Sequence, residues 1–296
     1  MMPPIQKYLR TSSNDFKFSI IIPTWNNIRY LQLCIRSLQQ HSAFKHQIIV
    51  LVNEGKDGTL QWLNTQHDID FVHAETNIGI CMGLNICREL VKSDYILYAN
   101  DDMYFLPNWD SALADSIQNI HTQYFMFSST MIEPSGNNPC CVIADYGNSV
   151  DNFRENDLMS DFGSLTRDNW SGSTWPPNLI PKDLWDLVGG MSVEYSPGMY
   201  SDPDFSRKLW MVGVRHFEGI GQSLVYHFGS KSTRKLKKNS GRTIFLQKWH
   251  ISAHTFMHTF LHIGQKTPMP LPEVKLSVTQ RFINHCKFIL STFKGS

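Results

Sequence analysis

The chain has 296 residues, 42% of them apolar and 18% charged, which is the composition of a globular protein able to bury a large core in one domain or two. No run approaches the ~20 apolar residues of a membrane span, no secretory signal is expected after Met1-Met2-Pro3-Pro4, and six cysteines without zinc or CxxC spacing point to reduced thiols in a cytosolic protein. The net charge of +1 conceals a segregation: residues 231–296 hold 12 Lys/Arg and one acid, Glu273, a local +11 against −10 for the other 230 residues.

Residues 1–15 read as a loose leader. Phe18-Ser19-Ile20-Ile21-Ile22 is a first buried strand, closed by Pro23-Thr24-Trp25-Asn26-Asn27, and Ile28, Leu31, Ile35 and Leu38 then recur at helical spacing. Residues 47–52 form a second strand, 59–65 a short helix and 69–74 a third strand. Asn77-Ile78-Gly79 opens a helix reaching Leu90, and the β-branched and aromatic run 95–99 is a strand ending in Asn100-Asp101-Asp102. This alternation predicts an α/β class, with a mostly parallel sheet flanked by helices.

A helix over 109–120 and a strand over 124–129 follow. The polar stretch from Glu133 to Thr174 is long for a structureless loop, so short strands or a mobile lid are expected within it. Order returns at Trp175-Pro176-Pro177, with a helix to Val188 stopped by Gly189-Gly190. A second helix runs over 201–212, and the strand 222–226 ends in His227. Lys231, Arg234, Lys235, Lys237 and Lys238 come next. His250, His254, His258 and His262 then stand at i+4 spacing along an expected amphipathic helix, which packs on the domain or lies on a membrane surface. Pro268, Pro270 and Pro272 end it, and residues 278–293 form another apolar-basic helix.

The acidic pair carries the chemistry. Two carboxylates just past the carboxyl end of a strand lie where open α/β sheets bind ligands. Side by side they repel, so a cation, a basic group or hydroxyl donors must hold them there. A hard divalent metal bridging a carboxylate to a diphosphate does this.

Seven motifs in one order resemble family 2 glycosyltransferases of GT-A fold. They are Ile20-Ile21-Ile22-Pro23-Thr24-Trp25-Asn26; Val52-Asn53-Glu54-Gly55 with Asp57-Gly58-Thr59; Asn77-Ile78-Gly79 through Asn85; Asn100-Asp101-Asp102; Leu187-Val188-Gly189-Gly190; the Asp202 helix; and Val225-Tyr226-His227. They span residues 18–227, and Phe245-Leu246-Gln247-Lys248-Trp249 resembles a segment often found after that catalytic domain. The resemblance implies an inverting enzyme that moves a sugar from a nucleoside diphosphate donor, with UDP preferred, to a hydroxyl of a glycan or lipid-linked acceptor. It implies Asp102 and His227 as ligands of Mn²⁺ or Mg²⁺. Pro23, Thr24, Asn26, Glu54, Asn77, Gly79, Asn100 and Asp101 are expected on the nucleotide-sugar. Glu54 stands where the family usually has an aspartate, which alters the depth of the base pocket.

The family's general base is an acid at the helix start, here Asp202, with Asp204 the fallback. Ser201 as N-cap would give Asp204 a capping role of its own. Asp57 reads as a helix cap or a nucleotide contact. Trp175 and Trp170 are expected either as sugar platforms or as core, with Trp175 assigned to the acceptor. The four histidines read as a packing element rather than a metal ladder. The expected organisation is a domain over 16–230, with a nucleotide-sugar half (16–103) and an acceptor half (104–230). A basic helical extension over 231–296 would face an anionic membrane, placing the protein in the cytoplasm on its inner face, in polysaccharide biosynthesis. No nucleic-acid module is recognisable in the basic tail. A non-catalytic nucleotide-sugar-binding relative is the alternative. A sugar nucleotidyltransferase is a further one, disfavoured because Pro23-Thr24-Trp25-Asn26 lacks the Gly-rich basic loop of that class.

Overall fold

The computed structural model describes residues 4–229 and 240–292. Lys231, Arg234, Lys235, Lys237 and Lys238, and the end of the expected last helix at Phe293, lie outside the described residues.

Strand β1 (Ile5–Tyr8) opens the chain and is followed by β2 (Ser19–Trp25), α1 (Ile28–His41), β3 (Gln47–Asn53), α2 (Thr59–Asn64), β4 (Ile69–Ala74), α3 (Ile80–Cys87) and β5 (Tyr95–Tyr98). Then come β6 (Met103–Phe105), α4 (Trp109–Asn119), β7 (Phe125–Glu133), β8 (Val142–Ile143), α5 (Glu155–Asp161), β9 (Trp170–Ser171), β10 (Asn178–Pro181), α6 (Lys182–Leu187), α7 (Ser201–Met211) and β11 (His216–His227). The C-terminal part comprises α8 (Gly241–Trp249), α9 (Ala253–Thr255) running into a π-helical turn (Phe256–Phe260), and α10 (Val278–Thr292).

The strands form one sheet in the order β1-β4-β3-β2-β5-β10-β7-β11-β6, with β8 on β7 and β9 on β11. Its first half, β4-β3-β2-β5, is parallel throughout. The second half is mixed: β10 runs antiparallel between β5 and β7, while β7 and β11 run parallel. Both faces are buried, which is why β2 and β3 read as unbroken apolar runs. Alternate residues of these strands serve opposite faces. Ile21, Ile49 and Leu51 pack with α3, α6 and α7, while Ile20, Ile22, Val50 and Val52 pack with α1 and α4.

The structure corrects several expectations. The leader contains β1, antiparallel to β4, with Tyr8 stacked on Phe71 at 4.2 Å between ring centroids. The buried Asp70 carboxylate also holds the leader through the N–H groups of Arg10 and Thr11 and the Thr11 hydroxyl. The stretch 133–174, by contrast, holds expected short strands, β8 and β9, together with α5. The histidine row does not share one helix: His250, at φ +57, ends α8, and His262 has φ +50. His250 stacks on Phe288, and the His254 and His258 rings meet at a tilt. The C-terminal part is not a mere appendage either. Phe245, Phe256, Phe260, Leu261 and Leu271 join the apolar cluster of Phe205 and Leu209.

Candidate functional site

The turns at the carboxyl ends of β2, β3 and β5 meet on one edge of the parallel half, where open α/β sheets bind ligands. Asn26 and Glu54 end β2 and β3 with positive φ, +48 and +65, a conformation L-residues adopt at a cost. They are tied to each other: Asn26 Nδ2 donates to Glu54 Oε2 at 3.2 Å, and Asn26 Oδ1 accepts from the Lys56 N–H at 2.8 Å. The Trp25 indole, the Asn26 amide and the Lys56 ammonium hold the Glu54 carboxyl below its ordinary pKa against the opposing effect of burial. Asp57 is a cap. Its carboxylate accepts from the N–H of Ile28, the first residue of α1, and from the N–H and hydroxyl of Thr59, the first residue of α2.

Thr24 Oγ1 donates to Asp101 Oδ2 at 2.7 Å, so its hydroxyl proton is engaged with a neighbouring carboxylate and both side chains are buried. Pro23 is a buried strand residue opposite Leu51. Asn77 closes a turn by accepting the Gly79 N–H at 2.8 Å. Gly79 has φ +79, and a Cβ there would meet Ser196 and Pro197 at 3.1–3.3 Å, so only glycine fits this approach of the helix start to the loop ahead of α7.

Asp102 and His227 come together through sheet register. His227 pairs with Met103 across β11 and β6, which places its Nε2 3.4 Å from the Asp102 carboxylate. On the other side of the ring, Nδ1 lies 2.8 Å from Glu133 Oε1. Tyr226 is opposite Ile132 in the parallel pairing of β11 with β7, so the two strands deliver His227 and Glu133 side by side. Burial alone would lower the imidazole's pKa, but the two carboxylates outweigh it and raise it to about 10. Glu133 is the functional candidate missed by sequence reasoning. Its only signal there was a carboxylate at the end of an apolar-to-polar run.

Asp202 sits in the first turn of α7, after Tyr200, whose φ of +71 makes it the N-cap. Ser201 is therefore not the cap: its hydroxyl donates to the Gly198 carbonyl instead. Nor is Asp204 a capping residue. It is buried, and it accepts from the Ser192 hydroxyl (2.6 Å), the Trp249 indole (2.7 Å) and the Lys248 ammonium (3.0 Å), pinning α8 to α7. Asp202 differs. Its Oδ1 is shielded from water without a hydrogen-bond partner among the described residues, and burial raises its pKa to about 7.

A cleft of about 430 Å³ gathers Asp202, His227, Glu133, Asn100, Trp175 and Tyr98. Trp170, by contrast, is core: its indole donates to Thr130 Oγ1 at 2.9 Å in a small cluster with Cys140 and Ile263. A carboxylate and an imidazole converging on one point, with the imidazole's other nitrogen fixed by a second carboxylate, is a donor set that suits Mn²⁺ or Mg²⁺. Among the described residues, no group of three or more His, Cys, Asp or Glu is arranged as a complete metal site, so such an ion would take further ligands from substrate oxygens and water.

Residues 19–139 match the model of Glycosyl transferase family 2. An uncharacterized glycosyltransferase, R363 of Acanthamoeba polyphaga mimivirus, is 26% identical over 140 residues, 42% of this chain and 52% of that protein. The chain thus spans about half the length of the curated relatives it matches. Among solved structures, S. aureus TarS 1-349 in complex with UDP-GlcNAc superposes with a TM-score of 0.56 at 14% identity, covering 95% of this chain and 74% of that one. GalNAc-T7 with UDP, GalNAc and Mn²⁺ gives a TM-score of 0.56 at 11% identity over 82% of this chain and 50% of that one. These likenesses show the GT-A fold, and residues 19–139 are similar to Glycosyl transferase family 2.

Proposed function

We propose that this protein transfers a sugar from a nucleoside diphosphate sugar to a hydroxyl of a glycan or lipid-linked acceptor, with inversion at the anomeric carbon. The observation that carries the reading is the Asp202 carboxyl, whose Oδ1 has no hydrogen-bond partner among the described residues and whose pKa burial raises to about 7, in one cleft with His227 and Trp175. A carboxylate poised near neutrality and free of competing donors can take the proton of an acceptor hydroxyl as that oxygen attacks. Trp175, half-buried and lining the same cleft, would offer an apolar platform to the acceptor sugar.

The donor would lie over the turns that end β2, β3 and β5, in the half of the domain formed by residues 16–103. Glu54 and Asn26 would meet the base, the Asn77–Gly79 turn would approach the donor, and Asn100 and Asp101 would meet its sugar or ribose. Asp102 and His227 would hold the divalent ion, with Glu133 orienting the ring. The ion would supply Lewis-acid stabilisation of the departing diphosphate. UDP as the nucleotide and Mn²⁺ as the metal are supported by the ligands of the structural neighbours, and the acceptor would be met by the half formed by residues 104–230.

The test is a donor-hydrolysis screen. The protein is incubated with UDP-, GDP-, dTDP- and CMP-sugars with Mn²⁺, Mg²⁺ or EDTA, and released nucleotide is measured. Metal-dependent release from one donor, lost in Asp102→Ala and reduced in Asp202→Asn, is expected. No release and no nucleotide binding by calorimetry would overturn transfer in favour of a non-catalytic relative.

A further inference from the structure

Helix α10 is built inside out. The side it turns to the body is polar. Asn284, 2% exposed, accepts the Ser252 N–H at 2.8 Å and the Thr255 hydroxyl at 3.2 Å, and Gln280 Nε2 donates to Thr259 Oγ1 at 3.2 Å. The side chains left in solvent are apolar: Val278 is 74% exposed, Phe282 66%, Leu290 62%, Ile283 45% and Ile289 41%. At the helical ~100° per residue these five share an arc of about 140°, with Lys287 beyond one border and Arg281 beyond the other. A helix serving only the fold has the opposite arrangement, with its apolar stripe toward the core. Behind α10 a groove of about 850 Å³, lined by Ile251, Leu276, Phe282 and Phe288 among others, continues the apolar surface inward beside Arg281 and His285.

What covers this face is decided by charge. Residues 231–296 carry a formal +11, so a second copy docking here would bring like charge against like charge, whereas an anionic surface is attracted to this net positive charge. Length narrows the geometry. A helix of 15 residues is ~22 Å long, short of the ~30 Å hydrocarbon core, and no helix of the described residues is long and apolar enough to cross a membrane. We infer that α10 is an in-plane anchor. It lays Val278, Phe282, Ile283, Ile289 and Leu290 into the headgroup–acyl boundary of an anionic bilayer, with Arg281 and Lys287 at the phosphates. The inference deepens the proposed function, on which it rests only for the acceptor being met at a lipid surface; binding of the helix needs no transfer chemistry.

The experiment is co-sedimentation of the full chain with vesicles of phosphatidylcholine alone and of phosphatidylcholine with phosphatidylglycerol. Sugar-nucleotide hydrolysis in solution is measured in parallel. Binding to the anionic vesicles is expected to fall at least about tenfold in Phe282→Ser/Leu290→Ser and in Arg281→Glu/Lys287→Glu. Melting temperature and nucleotide release should stay unchanged, because these side chains face away from core and cleft. No wild-type binding to anionic vesicles, or wild-type-like binding by the Phe282→Ser/Leu290→Ser variant, would overturn the inference. So would a wild-type dimer that the same substitutions dissociate. Retained vesicle binding with neither nucleotide release nor nucleotide binding would leave the anchor standing and sink the transfer reading alone.

Discussion

At Asp202 and Asp204, two carboxyl groups two residues apart on α7 do different work because their surroundings differ. Asp204 is engaged by Ser192, Trp249 and Lys248 and so holds the fold together, while the Asp202 Oδ1 is shielded from water with no hydrogen-bond partner among the described residues. Asp202→Asn is expected to lower kcat by ~10²–10⁴-fold. The wild-type rate should rise with pH through about 7, as the carboxyl ionises, and a pH–rate profile of both proteins tests this. The same group also affects stability. Its pKa is raised from 3.8 unfolded to about 7 folded, so the cost of its buried charge is absent at low pH, grows between these values and is complete above about 7. The melting advantage of Asp202→Asn should therefore be larger at pH 8 than at pH 5, roughly. Glu133 makes a separate prediction. Glu133→Gln should weaken Mn²⁺ binding by ~10–100-fold in a metal titration, since the imidazole loses the carboxylate that orients it. Sequence could name Asp102, Asp202 and His227 because each ends or starts a recognisable element. Glu133 was hidden because only the β7–β11 register, across 94 residues of chain, sets it beside His227.

The elements most legible in the sequence are those whose residues face apolar neighbours on both sides. β2 and β3 announce themselves as runs of Ile, Val and Leu, and α1 as an apolar stripe. β7 was expected to end at Ser129 but runs on to Glu133, with the polar residues Ser128, Ser129 and Thr130 at its centre. They are buried strand residues whose hydroxyls are satisfied by Ser173, Ser223 and the Ile220 carbonyl. β10 was missed because it is four residues long and ends in Pro181, and its place between β5 and β7 is a tertiary decision. The turn between β3 and α2 is explained by one carboxylate. Asp57 satisfies the first N–H of α1 and of α2 together, so Asp57→Ala should cost about 1–2 kcal/mol in urea denaturation, the scale of a lost helix cap.

Across the whole molecule, among the described residues the C-terminal part packs on the core as far as Leu276, and α10 contributes no apolar side chain to that cluster. Phe245, Phe256, Phe260, Leu261 and Leu271 each contribute about 1.5–3 kcal/mol by burial, a sum comparable with the ~5–15 kcal/mol stability of a whole domain. A chain ending at residue 229 is therefore expected to show no cooperative thermal transition by circular dichroism. The sequence left two places open for this segment, packed on the domain or lying on a membrane surface, and its aromatic residues settle the first for residues 245–271. At the opposite end of the sheet, β1 pairs with β4 and lays Tyr8 on Phe71. Without that short strand, β4 would present a row of unpaired backbone groups beside an uncovered aromatic ring, an invitation to edge-to-edge association between copies. Residues that first read as a slack leader thus act as a guard against aggregation.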